Sequence, residues 1–360
     1  MRVVLFAHSL VSCWNHGNAH FLRGVVRELT ARGHDVRVYE PADGWSRTNL
    51  AAEHPAAEDH FAVAFPDLRS ETYGAKPELD EMLDGADLVL VHEWTDPAIV
   101  AAIGRLHGRH TLLFHDTHHR AVSDPEAMRA LDLDGYDGVL AFGQALAEVY
   151  QGWGWGDRVF VWHEAADLAL FRLPPVEGLR EGLVWIGNWG DGERTAELET
   201  FLLAPARDAG LPLDIHGVRF PADATALLAR YGGRYHGWVA NADAPATFAR
   251  HLATIHVPRR CYASALPGIP TIRVFEALAC GIPLLSAPWD DAEGLFRVGT
   301  DFLMARDGNE MSRNLRALTH DPELRESLVA HGLETVRARH GCGHRVEELL
   351  RIVAGLKVAA

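Results

Sequence analysis

Cysteine is scarce in this 360-residue sequence, and Cys13, Cys261, Cys280 and Cys342 include no C-x-x-C pair. Neither a disulfide framework nor a zinc knuckle is indicated, which fits a reducing compartment. Long apolar runs are also missing. None reaches about 18 residues, and the opening MRVVLFAHSL holds too short a run for a secretory signal. The expectation is a cytoplasmic chain without a transmembrane segment. Positive charge is in deficit, since 34 Lys and Arg against 49 Asp and Glu give a formal net charge of -15. That balance argues against a nucleic acid or an anionic membrane surface as the main partner, so any phosphate must be met by local groups. No acidic D-x-D metal site stands out.

What is present is a rhythm. Short apolar runs alternate with helical patterns: VVLFA, NAHFLRGVVRELTARG, HDVRVYE, then DLVLVHE, HTLLFHD, GVLAF and DRVFVWH. This is the order of βαβ units around a parallel sheet. A helix from about Asn18 places Phe21, Val25, Val26 and Leu29 on one face and stops at Gly33. Trp45 to Lys76 is irregular and is expected to be loops with one strand. After FVWHEAADLALF the polar, proline-containing RLPPVEGLREG, Arg172 to Gly182, reads as a hinge. The alternation then restarts with LVWIGN, LDIHG, ATIHVP, IPLLS and FLM. A length of 360 residues exceeds what one core usually serves. The predicted organisation is therefore a first doubly wound α/β domain over 1–170, a hinge over 171–182 and a second such domain over 183–340. A helix over 341–360 is expected to pack back on the first domain, and the two domains to face each other across a cleft.

In doubly wound sheets ligands sit beyond the carboxyl ends of the strands. The most informative such loop is Arg259 to Thr271, which feeds into IPTIRVFEALACGIPLLSAPW, Ile269 to Trp289. A helix N-terminus presents free N–H groups and favours an anion. Arg273 in its first turn opposes the helix dipole unless an anion lies between them, and Glu276, one turn on, is suited to accept from the two hydroxyls of a ribose. Phosphate followed by sugar is the order of parts in a nucleoside diphosphate. The competing reading is an ordinary i,i+3 surface ion pair.

RVFEALACGIPLLSAPWDDAEGLF, followed by GTDFL, resembles the donor-site segment of GT-B glycosyltransferases, above all the group 1 (GT4-like) enzymes and the spore-maturation CgeB-like proteins. FVWHEAADLALF resembles their interdomain segment, and LVWIGNWGDGERTAEL the opening of their C-terminal domain. The resemblance covers most of Asp157 to Leu350 and implies two Rossmann-like domains. It implies further that Glu276 binds the donor ribose, that Gly268, Ile269, Pro270, Thr271 and Arg273 hold the diphosphate, and that Arg194 is a second phosphate contact. Asn188, Trp189, His216 and Gly217 lie at strand ends on the same side, with Trp189 expected to stack on a sugar or base. Retaining members of the group often carry a Glu-x7-Glu pair, yet its first position falls on Gly268. CgeB-like relatives lack that glutamate too.

The first half is then expected to hold the acceptor. Its strand ends carry SLVSCWNHGNAH, HEW at His92 to Trp94, and HDTHH at His115 to His119. His115 or Asp116 is a candidate contact to the acceptor hydroxyl, because a neutral imidazole beside a carboxylate can take a proton near pH 7. A metal site of His115, His118 and His119 is the weaker alternative, since neighbours on a strand end point apart. The resemblance implies that Gly17 lies near the donor phosphates, with Asn15, His16 or Asn18 as donors to them, although Asn15 or Asn18 is equally suited to cap the helix. The loop is not a G-x-G-x-x-G fingerprint and implies no dinucleotide cofactor. The expected activity is metal-independent transfer of a sugar from a nucleotide-diphosphate sugar of unspecified base to a glycan or small-molecule acceptor, with His115, Asp116 and His16 as catalytic candidates. The alternatives are a nucleotide-sugar epimerase or hydrolase of the same fold, and a non-catalytic glycan-binding or assembly protein.

Overall fold

β1 Arg2–Phe6, β2 Asp35–Pro41, β3 Glu71–Tyr73, β4 Leu88–His92, β5 Thr111–Asp116, β6 Gly138–Ala141 and β7 Val159–Val161 form one sheet in the order β3-β2-β1-β4-β5-β6-β7. A second sheet, in the order β10-β9-β8-β11-β12-β13, contains β8 Leu183–Ile186, β9 Leu213–His216, β10 Gly233–Tyr235, β11 Ala253–His256, β12 Leu284–Ser286 and β13 Leu303–Met304. Every strand pair in both sheets is parallel. The computed structural model describes residues 1–108, 110–173, 178–190 and 192–359. The segment expected as a hinge includes 174–177, which lie outside the described residues. The chain divides into one unit of Met1–Asp167 with Cys342–Ala360 and another of Leu168–Gly341.

The central strands are nearly continuous apolar runs because both faces of a parallel sheet are covered. β4 and β8 are buried along their whole length. Helix Ala19–Ala31 buries Phe21, Leu22, Val25, Val26 and Leu29. It ends where Gly33 takes a φ of +82° and donates its N–H to Thr30 O at 2.9 Å. Inside that helix Gly24 makes room for the C-terminal helix Cys342–Ala359. A Cβ at position 24 would stand 2.4 Å from Cys342 Sγ. Trp162 Nε1 donates to Arg345 O at 2.8 Å and joins the same helix to the first unit.

The expectation of loops for Trp45 to Lys76 is corrected: besides β3 it holds helices Trp45–Glu53 and Ala57–Ala64. The first buries only Ser46 and Leu50, the second only Ala57 and Phe61. Neither presents the apolar stripe by which a sequence announces a helix. In each sheet the strand order reverses at one place, between β1 and β4 and between β8 and β11. Those are the switch points where a doubly wound sheet receives its ligand.

Candidate functional site

At the switch point of the second unit, Arg194 is 8% exposed and lies over the Trp185 ring at 5.0 Å. Its guanidinium donates to Val257 O at 2.8 Å, beyond β11, and to Asn188 O at 2.6 Å, beyond β8. The Asn188 side-chain oxygen accepts from Val218 N–H at 3.0 Å, so the loop after β9 joins the same knot. Gly217, with a φ of +152°, is required there, because a Cβ would come within 2.0 Å of Gly187 O. Burial, Arg259 and Arg273 pull the Arg194 pKa down, to about 9, and its buried Nε makes no hydrogen bond. Arg259 pairs with Glu193 at 2.9 Å. Arg259 and Arg273, each paired with a carboxylate, thus lie within electrostatic reach of the buried Arg194, and an anion there would offset its charge. Beyond β9, His216 stacks on His236 at 4.9 Å, and burial, helped by His236, takes its pKa to about 4. It is a neutral, flat surface at physiological pH.

Gly268, Ile269 and Pro270 lead into helix Ile272–Ala279, which starts at Thr271 without a side-chain capping bond and has no acid in its first turn. Its N–H groups and Arg273 therefore present positive charge together. Arg273 pairs with Glu276, whose carboxylate is fully buried. The pair is therefore not the surface pair that served as the competing reading.

The switch point of the first unit is lined by imidazoles. His16 is 6% exposed and packs edge-on to His8 at 4.8 Å and to His92 at 5.9 Å. Burial, reinforced by its histidine neighbours, holds the His16 pKa well below its ordinary value, and its Nε2 makes no hydrogen bond with the protein. His92 Nδ1 lies 2.9 Å from the buried Glu93 carboxylate, which also accepts from the Thr117 hydroxyl at 3.2 Å. Asn18 donates to that hydroxyl at 2.7 Å and makes no capping bond to helix Ala19–Ala31. Gly17 is half-buried in the turn between His16 and this helix. The HEW stretch points to His92 and Glu93 in sequence, but only the β1 to β4 pairing brings them beside His16.

Three expectations are corrected. The His115 imidazole, 2% exposed, turns into the core against Trp162 at 4.7 Å, beside a cavity of about 10 Å³ that it lines with His92. Asp116 is fully buried; its carboxyl accepts from the Tyr150 hydroxyl and from His118 N–H at 2.9 Å. Burial and the Glu93 charge push its pKa up to about 8. Both faces of β5 are covered, so His115 and Asp116, which alternate on it, are packed within the unit rather than presented at its surface. Trp189, 4% exposed, belongs to the core of the second unit with Trp185 and Leu198 and offers no face to a sugar. Among the described residues no group of three or more His, Cys, Asp or Glu side chains is arranged to hold a metal ion.

Residues 17–170 match the family model described as Glycosyltransferase Family 4, and residues 194–351 the model described as Glycosyl transferase-like. No curated protein matches the sequence. Among solved structures, HepE of Anabaena in complex with UDP-glucose has a TM-score of 0.72 at 15% identity, covering 99% of this chain and 100% of that one. Sucrose-phosphate synthase from Thermosynechococcus elongatus has a TM-score of 0.66 at 15% identity, with 100% of each chain covered. BGT of phage T4 in complex with UDP and Mn2+ has a TM-score of 0.64 at 12% identity, covering 98% of this chain and 99% of that one. At these identities the likeness is one of fold. The sheet orders and these likenesses define the GT-B fold. With this fold, the two family models mark the chain as a glycosyltransferase, its first part similar to the Family 4 model.

Proposed function

We propose that the second unit binds a nucleotide-diphosphate sugar and that its glycosyl group passes, without a metal ion, to a hydroxyl of a glycan or small molecule bound by the first unit. The observation that carries this reading is the buried Arg194 at the β8–β11 switch point, gathered with Arg259 and Arg273 at the uncapped start of the helix that holds Glu276. On binding, Arg273 turns from Glu276 to the diphosphate, and the ribose hydroxyls take its place on the carboxylate. His216 stands on the same side of the sheet for the base. Solved structures of the same fold hold UDP or UDP-glucose, which makes uridine nucleotides the first choice. A glycine at 268 supports the CgeB-like branch.

The acceptor oxygen attacks the anomeric carbon, the bond from that carbon to the β-phosphate oxygen breaks, and the diphosphate leaves with the electron pair. The arginines and the helix N-terminus stabilise its charge. His16 takes the acceptor proton on Nε2, which is buried, neutral and makes no hydrogen bond with the protein. Four scattered cysteines without a C-x-x-C pair, and no helix among the described residues long and apolar enough to cross a membrane, support a cytoplasmic enzyme. The test is release of UDP from UDP-glucose with and without acceptor, in EDTA. Acceptor-dependent release in EDTA is expected. Sugar products formed without an acceptor would establish the epimerase or hydrolase reading, and loss of release in EDTA would overturn metal independence.

A further inference from the structure

Gly268 opens the loop that enters helix Ile272–Ala279, and its φ of +87° is one that glycine alone adopts readily. The space above it is filled from elsewhere in the chain. A Cβ at position 268 would lie 3.1 Å from Glu293 Cγ and 3.3 Å from Glu293 Oε1. The arrangement is fixed by backbone, since Gly268 N–H donates to Asp290 O at 2.6 Å. Asp291 anchors the other side, its carboxylate accepting from Leu295 N–H at 2.9 Å and Phe296 N–H at 2.7 Å. Between these two fastenings the half-buried Glu293 is held against the loop 266–271. Its carboxylate also sits near Asp291, whose pKa is raised by burial and, to a lesser degree, by the Glu293 charge.

We infer that Glu293 is the residue that recognises the sugar of the donor, delivering from the loop after β12 a carboxylate to the spot where position 268 has no side chain. The inference rests on the proposed role of 268–271 as the diphosphate site. A glycosyl group is joined directly to the β-phosphate, so its hydroxyls lie within one ring of the groups that hold the phosphate. A carboxylate there accepts charge-assisted hydrogen bonds from neighbouring hydroxyls and discriminates by their placement.

The experiment measures binding of UDP, UDP-glucose, GDP and GDP-mannose by calorimetry, and turnover of the two sugar nucleotides, for wild type, Glu293→Gln and Glu293→Asp. Glu293→Gln keeps the shape and the loop fastenings, so an unchanged melting midpoint certifies its fold. The expected result is nucleoside diphosphate binding within about twofold of wild type, with sugar-nucleotide turnover and the affinity gain from the sugar both reduced about tenfold or more. Glu293→Asp falls between the two. A structural role would move both classes of ligand alike. Wild-type sugar discrimination in Glu293→Gln overturns the inference while leaving the diphosphate site standing. Failure of the wild type to bind either diphosphate overturns the site and the inference together.

Discussion

Arg194 is a side chain on which both the fold and the proposed chemistry draw. A buried guanidinium with two main-chain acceptors and no carboxylate bonded to it holds three loops in place while keeping its charge available. Arg194→Met is expected to lower unfolding free energy by about 1 to 3 kcal/mol, as measured by denaturant titration, and nucleotide affinity by about tenfold or more. Arg194→Lys does not restore the affinity, because an ammonium cannot span both carbonyls. His16→Ala is expected to lower kcat by about a hundredfold and leave nucleotide affinity unchanged, which steady-state kinetics with calorimetry separates. Arg273 and Glu276 were legible because helical spacing alone sets them on one face. Trp189 was misread because a tryptophan after a strand end looks the same whether it faces core or solvent. Glu293 could not be found, since nothing local to its sequence tells of Gly268.

Among the elements, the loops after β8 and β9 depend on backbone meeting backbone. The Gly217 to Gly187 approach leaves no volume for a methyl group. Gly217→Ala should cost about 2 kcal/mol of stability or more, and it should weaken nucleotide binding although no ligand contact is removed. Circular dichroism melting and a UDP titration check both. Helix Ala19–Ala31 was readable from its apolar face and its terminal glycine. Trp45–Glu53 was not, because its burial of Ser46 and Leu50 alone comes from tertiary packing rather than from a stripe. The parallel sheets were readable from their continuous apolar runs, but the order of strands, which creates the switch points, is written in no single segment.

For the molecule as a whole, buried neutral histidines set the response to acid. His8 and His216 have pKa values lowered to about 4 and His256 to about 3, while His16 and His115 are held well below their ordinary value, burial being the first cause throughout. Below pH 6.5 the unfolded chain protonates these imidazoles and the folded chain does not. The unfolded state then binds more protons, so stability falls as pH drops, by ~1.4 kcal/mol per pH unit for each fully depressed group. Asp116 acts in the opposite sense. Its raised pKa contributes stability at low pH that is lost as pH rises through about 8. One carboxyl against five imidazoles leaves the histidines dominant between pH 6.5 and 4.5, where the melting midpoint should fall steadily. A flat profile there would contradict their burial as neutral groups.

We place the nucleoside diphosphate of the proposed reaction at the helix of Arg273 and Glu276. Thermal unfolding of wild type and Glu276→Ala in the presence of UDP, GDP, dTDP, ADP and CDP tests it most directly, since ligand at 100 times its dissociation constant stabilises by about 2.7 kcal/mol. One nucleotide, expected to be UDP, should raise the wild-type midpoint, and Glu276→Ala, still folded, should lose that rise. No shift with any of them, or an equal shift in the variant, would exclude this helix as the nucleotide site.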